Sequence, residues 1–179
     1  MAPAQYMRRS SEGLRDVARD VIQLLRQAQE TVSVAESLTG GSIMAALTSV
    51  EGASSVFRGG IVSYDTGLKI NILKVDKDVI SRHGVVHDEV ARQMANGVRT
   101  VTAVEKPTTW GVSTTGVAGP DPQDGKPAGT VFIGISGLGQ DRAFGPFHFQ
   151  GGRDDIRKAT IFEALEQLRK LLSDRTTGS

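Results

Sequence analysis

The sequence predicts an α/β protein with a largely parallel sheet covered by helices on both faces and one antiparallel strand added late. Three observations carry this. Through the first two-thirds of the chain, short β-branched runs alternate with stretches of helical periodicity, the order that yields parallel strands joined by crossover helices. The last two strand-like runs are joined only by a loop containing Gly137-Leu138-Gly139-Gln140, so they read as an antiparallel pair. The chain then closes on an amphipathic helix. The predicted order is helix, strand, helix, strand, helices, three strands, helix.

Residues 1–10 read as a loose lead-in. From Ser11 to Glu30, Leu14, Val17, Val21, Leu24, Leu25 and Ala28 fall at helical spacing opposite a charged face. Thr31 to Ala35 alternates as a strand, and Gly40-Gly41-Ser42 opens a helix from Ile43 to Val50. Val56 to Tyr64 is a second strand. Its Gly59-Gly60 pair marks a bulge or a close approach by another backbone. Thr66 to Leu73 and Val75 to Arg82 read as short helices. A longer helix begins at Val86-His87-Asp88-Glu89, capped by His87 or Asp88, and runs to about Val104 with Val90, Met94, Val98 and Val101 inward. Thr108 to Thr114 is a strand ending in Thr115-Gly116-Val117-Ala118-Gly119-Pro120, followed by nine residues of turn chemistry. Thr130 to Ser136 and Ala143 to Gln150 form the late pair. The closing helix, Asp154 to Leu172, buries Ile161, Leu165, Leu168 and Leu172, flanked by Phe162 and Leu171.

Composition narrows the function. A chain of 179 residues without internal repeats fits one domain, 1–179, able to bury a core without staples. Lys plus Arg number 21 against 20 Asp plus Glu, a net charge of +1 that argues against a nucleic-acid surface spread over the fold. Cysteine is absent, which excludes disulfides, thiolate catalysis and Cys-based metal sites. No apolar run reaches membrane-span length and the N-terminus lacks the apolar core of a secretory signal, so a cytoplasmic location is expected.

In an open α/β sheet, ligands lie outside the carboxyl ends of the strands. Three loops are expected there: Glu36 to Gly41, Tyr64 to Lys69, and Thr114 to Gly129. The first carries Glu36, Ser37 and Thr39 between a strand and a helix. That geometry suits an anion anchored on backbone N–H groups, a nucleophilic hydroxyl beside an oxyanion site, or simply a capped tight turn. Ser37 is the nucleophile candidate, although it lacks the Gly-x-Ser-x-Gly pattern. Its base is not an obvious histidine, since His83 and His148 fall at a helix end and in a strand and His87 is better used as a cap. Gly84 also disfavours a helix that would bring His83 and His87 together as metal ligands. Lys69 can replace histidine if burial lowers its pKa, with Tyr64 relaying a proton or orienting it; the alternative is a surface lysine. Thr114, Thr115 and Gly116 to Gly119 can hold a phosphate or amide, or form a plain turn. Arg153 and Arg157 share a helical face and can clamp a phosphate, or form a solvated helix start with Asp154 and Asp155. There is no P-loop, and Gly134, Gly137 and Gly139 sit in a hairpin, not ahead of a helix.

Together, Ala35-Glu36-Ser37-Leu38-Thr39-Gly40-Gly41, Gly59 to Tyr64 with Lys69, Thr115 to Pro120, Gly125 to Val131 and Gly152-Arg153 through Arg157 resemble the C-terminal domain of the competence-damage-inducible protein CinA. The match runs from about Val32 to Leu168. Stand-alone members of that family resemble nicotinamide-nucleotide amidases of the PncC type. The resemblance implies a three-layer α/β/α fold with a mixed, mostly parallel sheet, commonly dimeric, and hydrolysis of nicotinamide mononucleotide to nicotinate mononucleotide and ammonia without metal or cofactor. It implies that Ser37 attacks the carboxamide and that Lys69, assisted by Tyr64, moves the proton. Backbone groups of Thr39, Gly40 and Gly41 would hold the oxyanion. Thr115, Gly116 and Gly119 would contact substrate, and Arg153 or Arg157 the phosphate. The chain departs from the family at Leu38, usually cysteine, at Asp65-Thr66 after Tyr64, and at His87, where a serine is usual. The alternative is a non-catalytic homologue that binds nucleotides or a partner protein.

Overall fold

A computed structural model describes residues 13–176. The expected lead-in and the start of the first helix at Ser11 lie outside the described residues. The elements follow in order: α1 (Leu14–Ala28), β1 (Val32–Glu36), α2 (Ser42–Thr48), a 3-10 turn (Ala53–Ser55), β2 (Phe57–Val62), α3 (Thr66–Asn71), α4 (Lys77–His83), α5 (Asp88–Val101), β3 (Trp110–Gly116), β4 (Thr130–Gly137), β5 (Gln140–His148) and α6 (Arg153–Thr176). Every predicted element is present, with ends shifted by a few residues. The sheet order is β2-β1-β3-β4-β5. β1 runs parallel to β2 and β3, whereas β4 is antiparallel to both its neighbours. Four strands therefore point one way and β4 alone points back, the single antiparallel strand expected from the late hairpin.

Three layers result. Val32 and Val34 of β1, Trp110 and Val112 of β3, and Val131, Ile133 and Ile135 of β4 pack against the buried stripes of α1, α2 and α6. The stripe of α6 is the predicted one, Ile161, Leu165, Leu168 and Leu172. On the other face, Ala35 meets Val90, Met94 and Val98 of α5 together with Leu73, Val75 and Val79. Val101, expected inward, is 41% exposed at the last position of α5. His87 caps α5, its Nδ1 accepting from the Glu89 N–H at 3.2 Å.

The glycine pair of β2 does both things expected of it. The register slips between Val32 and Ser33, leaving Arg58 as the extra residue of a bulge ahead of Gly59, which has φ +126°. A Cβ on Gly60 would stand 2.0 Å from the Val34 carbonyl oxygen, so only glycine lets β2 lie this close to β1. The crossover from β1 to β2 passes through α2 on one face of the sheet, and that from β2 to β3 passes through α3, α4 and α5 on the other. The chain thus leaves the carboxyl ends of β1 and β2 towards opposite faces of the sheet, the arrangement that in open α/β sheets leaves a crevice between the two exits. Because β5 runs in the same direction, α6 also starts at this edge. Among the described residues no helix is long and apolar enough to cross a membrane.

Candidate active site

Ser37 follows the last residue of β1 and is half-buried at the floor of this crevice. Lys69 reaches it from α3. Its residue is 1% exposed, and Nζ lies 3.0 Å from Ser37 Oγ, 2.5 Å from the Ser63 carbonyl oxygen and 3.5 Å from that of Tyr64. Three acceptors suit the three protons of an ammonium, but burial disfavours the charge. It lowers the Lys69 pKa from 10.5 to about 8, with nearby Asp65 pulling the other way. Near neutral pH a useful fraction of Lys69 is therefore the free amine, which can keep its two carbonyl partners and accept the Ser37 proton.

The turn after Ser37 is held from two sides. Glu36, fully buried, turns its carboxylate onto the start of α2, where Oε2 accepts from Gly41 N–H at 3.0 Å and Ile43 N–H at 3.2 Å, and Oε1 from Met44 N–H at 2.8 Å. Gly40 and Gly41 take φ +61° and +98°, the left-handed conformation this turn requires. The Gly40 N–H donates to the Ser37 carbonyl at 3.1 Å. The expected donors at Gly40 and Gly41 are thus already engaged. Among the described residues, the N–H groups without a partner on this turn are those of Leu38 and Thr39. Leu38 is buried in the core.

The other candidates divide between this crevice and its surroundings. Thr39 is fully buried, its hydroxyl 2.9 Å from that of Thr114, and Thr114 Oγ1 also accepts from the Ser37 N–H at 3.4 Å. Thr115 points to the opposite face of β3, where its hydroxyl donates to the Val85 carbonyl at 2.7 Å, so Thr114 is the threonine beside Ser37. Gly116 ends β3, and the Gly119 carbonyl receives Arg153 Nη1 at 2.7 Å. The second Arg153 nitrogen donates to the Tyr64 hydroxyl at 2.8 Å. Tyr64 is 59% exposed, and its phenol faces Arg153 while only its main-chain oxygen lies near Lys69. Arg157 donates to the Leu38 carbonyl through Nε at 3.0 Å and to the Thr39 carbonyl through Nη2 at 3.3 Å. Strand ends and the α6 start therefore bring Ser37, Thr39, Lys69, Tyr64, Arg153 and Arg157 around one crevice.

Glu36 and Thr114 are the residues whose local roles the sequence did not display. An acidic side chain five to eight residues ahead of N–H groups in a Gly-Gly helix start is a signal for the first. The two-residue period of β3 is a signal for the second, since it puts Thr114 and Thr115 on opposite faces. His83 and His87 stack with ring centroids 4.3 Å apart, and no third ligand-bearing side chain joins them into a metal cluster among the described residues.

Fold and site together define an α/β/α protein that carries a lysine-partnered serine at the carboxyl edge of its sheet. The chain belongs to the CinA C-terminal domain family, which it matches over residues 14–172. It is 45% identical over 152 residues to a CinA-like protein of Cyanothece sp., covering 84% of this chain and 35% of that protein. A CinA-like protein of Nostoc sp. is 41% identical over 170 residues, 89% of this chain and 39% of that protein. The chain thus spans a little over a third of the length of these curated relatives. Among solved structures it is similar to the competence/damage inducible protein of Agrobacterium tumefaciens, with TM-score 0.82, 33% identity and coverage of 90% and 97% of the two chains. A CinA superfamily protein of Escherichia coli gives TM-score 0.83, 29% identity and coverage of 89% and 90%.

Proposed function

We propose that the chain is a serine amidohydrolase that converts nicotinamide mononucleotide to nicotinate mononucleotide and ammonia. The observation that carries the reaction type is Lys69 Nζ at 3.0 Å from Ser37 Oγ, in a burial that lowers the lysine pKa to about 8. The substrate rests on the family resemblance.

Neutral Lys69 takes the Ser37 hydroxyl proton as Oγ attacks the carboxamide carbon. The developing oxyanion lies against the Leu38 and Thr39 N–H groups, the donors on this turn that the fold leaves open. Lys69, now an ammonium, passes its proton to the departing nitrogen, the C–N bond breaks and ammonia leaves. A nicotinate ester remains on Ser37. Water, deprotonated by Lys69, then hydrolyses that ester, and the proton returns to Oγ. Among the described residues, Arg153 on the rim is held only by the neutral acceptors Gly119 O and Tyr64 Oη, which a phosphate dianion can replace. A homodimer in solution goes with this proposal as the family's common state.

The test is ammonia release from nicotinamide mononucleotide by the purified chain and by Ser37→Ala. Release by the wild type with a fall of at least about a thousandfold in Ser37→Ala is expected. Equal rates would remove Ser37 as nucleophile. Tight nucleotide binding without turnover would leave a non-catalytic binding protein.

A further inference from the structure

Arg153 and Arg157 sit four residues apart on one face of α6, and a phosphate clamp would use both. Their surroundings separate them. Arg153 is exposed and bonds one carbonyl and one phenol at the rim. The Arg157 side chain is 32% exposed, lies beside the Asp154 carboxylate at 3.8 Å, and spends its fork on two consecutive carbonyls of the Ser37 turn. A carboxylate neighbour and two fixed acceptors leave that guanidinium poorly placed to receive a second anion.

Those carbonyls matter because of peptide geometry. In a planar trans peptide the C=O and the N–H of the same plane point in opposite directions. Arg157 Nε on the Leu38 carbonyl therefore dictates that the Thr39 N–H points away from α6. In the same way, the Gly40 N–H on the Ser37 carbonyl dictates the direction of the Leu38 N–H. The turn continues into Gly40 and Gly41, which open other backbone conformations to it. Rotation of the Leu38–Thr39 plane would present a carbonyl oxygen where an N–H donor is needed, replacing attraction of an oxyanion with repulsion. Glu36 fixes the far end of the turn through Gly41, Ile43 and Met44, and the Ser42 N–H donates to the Thr39 carbonyl at 3.1 Å, but among the described residues only Arg157 hydrogen-bonds the Leu38 carbonyl.

We propose that Arg157 is a positioning residue that locks the Leu38–Thr39 peptide with its N–H aimed at the oxyanion, and that it does not bind the substrate phosphate. This rests on the reading of Ser37 as the nucleophile. Arg157 acts through the turn and touches neither substrate nor reacting atoms. It differs from Arg153 in what its loss should do. Without Arg153 the nucleotide binds less well, whereas without Arg157 it binds and reacts slowly.

The experiment compares wild type, Arg157→Ala, Arg157→Lys and Arg153→Ala by two readouts. The first is steady-state hydrolysis of nicotinamide mononucleotide. The second is the rate of Ser37 labelling by an alkyl fluorophosphonate, located by peptide mass spectrometry. In that reaction Oγ bonds to phosphorus as fluoride leaves, so it needs the nucleophile and the oxyanion donors but has no nucleotide phosphate to be recognised. Arg157→Ala is expected to lower kcat and the labelling rate alike by roughly 10- to 100-fold, somewhat less than removal of an oxyanion donor outright. KM should stay within about threefold, and the thermal midpoint within a few degrees. Arg157→Lys, able to reach one carbonyl at a time, should recover part of both rates, and it answers the question if the alanine variant does not fold. Arg153→Ala should raise KM and leave labelling near the wild-type rate. Labelling of Arg157→Ala at the wild-type rate overturns the proposal, whatever happens to KM. A wild-type protein that neither releases ammonia nor is labelled at Ser37 instead overturns the hydrolase reading, and the proposal falls with it.

Discussion

At the scale of single residues, the site turns on one buried lysine. Water solvates an ammonium far better than the pocket does, and the carbonyls of Ser63 and Tyr64 only partly compensate, so Lys69 gives up its proton near pH 8. If Lys69 is the base, kcat/KM should rise with pH to a plateau with an apparent pKa near 8. Asp65→Asn should move that midpoint to lower pH, because the aspartate charge favours the ammonium and its removal disfavours it further. The asparagine side-chain oxygen can still accept from the Gly67 N–H, so the start of α3 is retained. A midpoint unmoved by Asp65→Asn would argue that another group sets the profile. Stability carries the same signature with its own sign. The folded pKa lies below the unfolded 10.5, so the unfolded chain holds more protons between about pH 8 and 10.5, and wild type should gain on Lys69→Met across that window. The gain is of the order of 3 kcal/mol, read from urea midpoints at several pH values. The candidate residues were legible because they cluster in short motifs at predicted strand ends. The direction in which each side chain points was not. Tyr64 is expected to relay a proton to Lys69 or to orient it; its main-chain oxygen lies 3.5 Å from Lys69 Nζ, while its phenol faces Arg153, a partner 89 residues away in sequence.

At the scale of elements, β1 and its two exits decide whether the residues meet. α2 has seven residues and begins on two left-handed glycines, a poor helix on propensity alone. The Glu36 carboxylate supplies what propensity lacks by satisfying three N–H groups that a helix start leaves open. Glu36→Gln keeps the shape but turns an amide donor towards N–H donors. It should cost about 2–3 kcal/mol and slow turnover, since the Ser37 turn is tied to that helix start. Denaturant midpoints and ammonia release check the pair, and a stable variant with full activity would show that α2 holds itself. The sequence places Glu36 between a strand and a helix without assigning it a partner. Its real partners are backbone groups, which every residue possesses and which no side-chain pattern advertises. β2 poses the opposite case, because its glycines are visible in sequence and their reason follows from sheet geometry. Gly60→Ala would drive a methyl group into the Val34 carbonyl. The strand must then shift outward, at a cost of about 1–3 kcal/mol, carrying Ser63 and Lys69 away from Ser37. Activity should fall more steeply than stability.

At the scale of the whole molecule, the site is assembled by elements from both halves of the chain, and α6 links it to the far side of the protein. Its 24 residues span about 36 Å. Its first turns carry Arg153 and Arg157 at the crevice, while its last turn reaches the opening of β1. There Arg175 makes two hydrogen bonds, 2.7 and 2.8 Å, to Glu30, and its guanidinium lies 5.5 Å over the ring of Trp110, whose own N–H donates to the same carboxylate at 2.7 Å. None of this was legible in the sequence, since Glu30 and Arg175 are 145 residues apart and each looks like an ordinary helix-end charge. The layered fold was legible, because periodicity and element order reflect burial, and burial drives the assembly. If α6 is a rigid strut, the two ends can be separated by mutation. Arg175→Ala should lower stability by about 1–2 kcal/mol, the range for charged hydrogen bonds at a partly exposed pair, and leave kcat and KM as they are at 25 °C. Acid should erase the difference. Burial pushes the Glu30 pKa up, but the Arg175 and Trp110 hydrogen bonds and the Arg175 charge outweigh it and hold the carboxyl below its ordinary 4.5. A depressed folded pKa contributes stability that is present above the unfolded value and lost as pH falls through the folded one. The gap between wild type and Arg175→Ala should therefore be constant from about pH 5.5 to 7 and narrow steadily below about pH 4.5. A gap that persists at pH 2.5 would mean that Arg175 stabilises α6 by packing on Trp110 and not by its charge. A fall in kcat at neutral pH would mean that the strut transmits strain to the Ser37 turn.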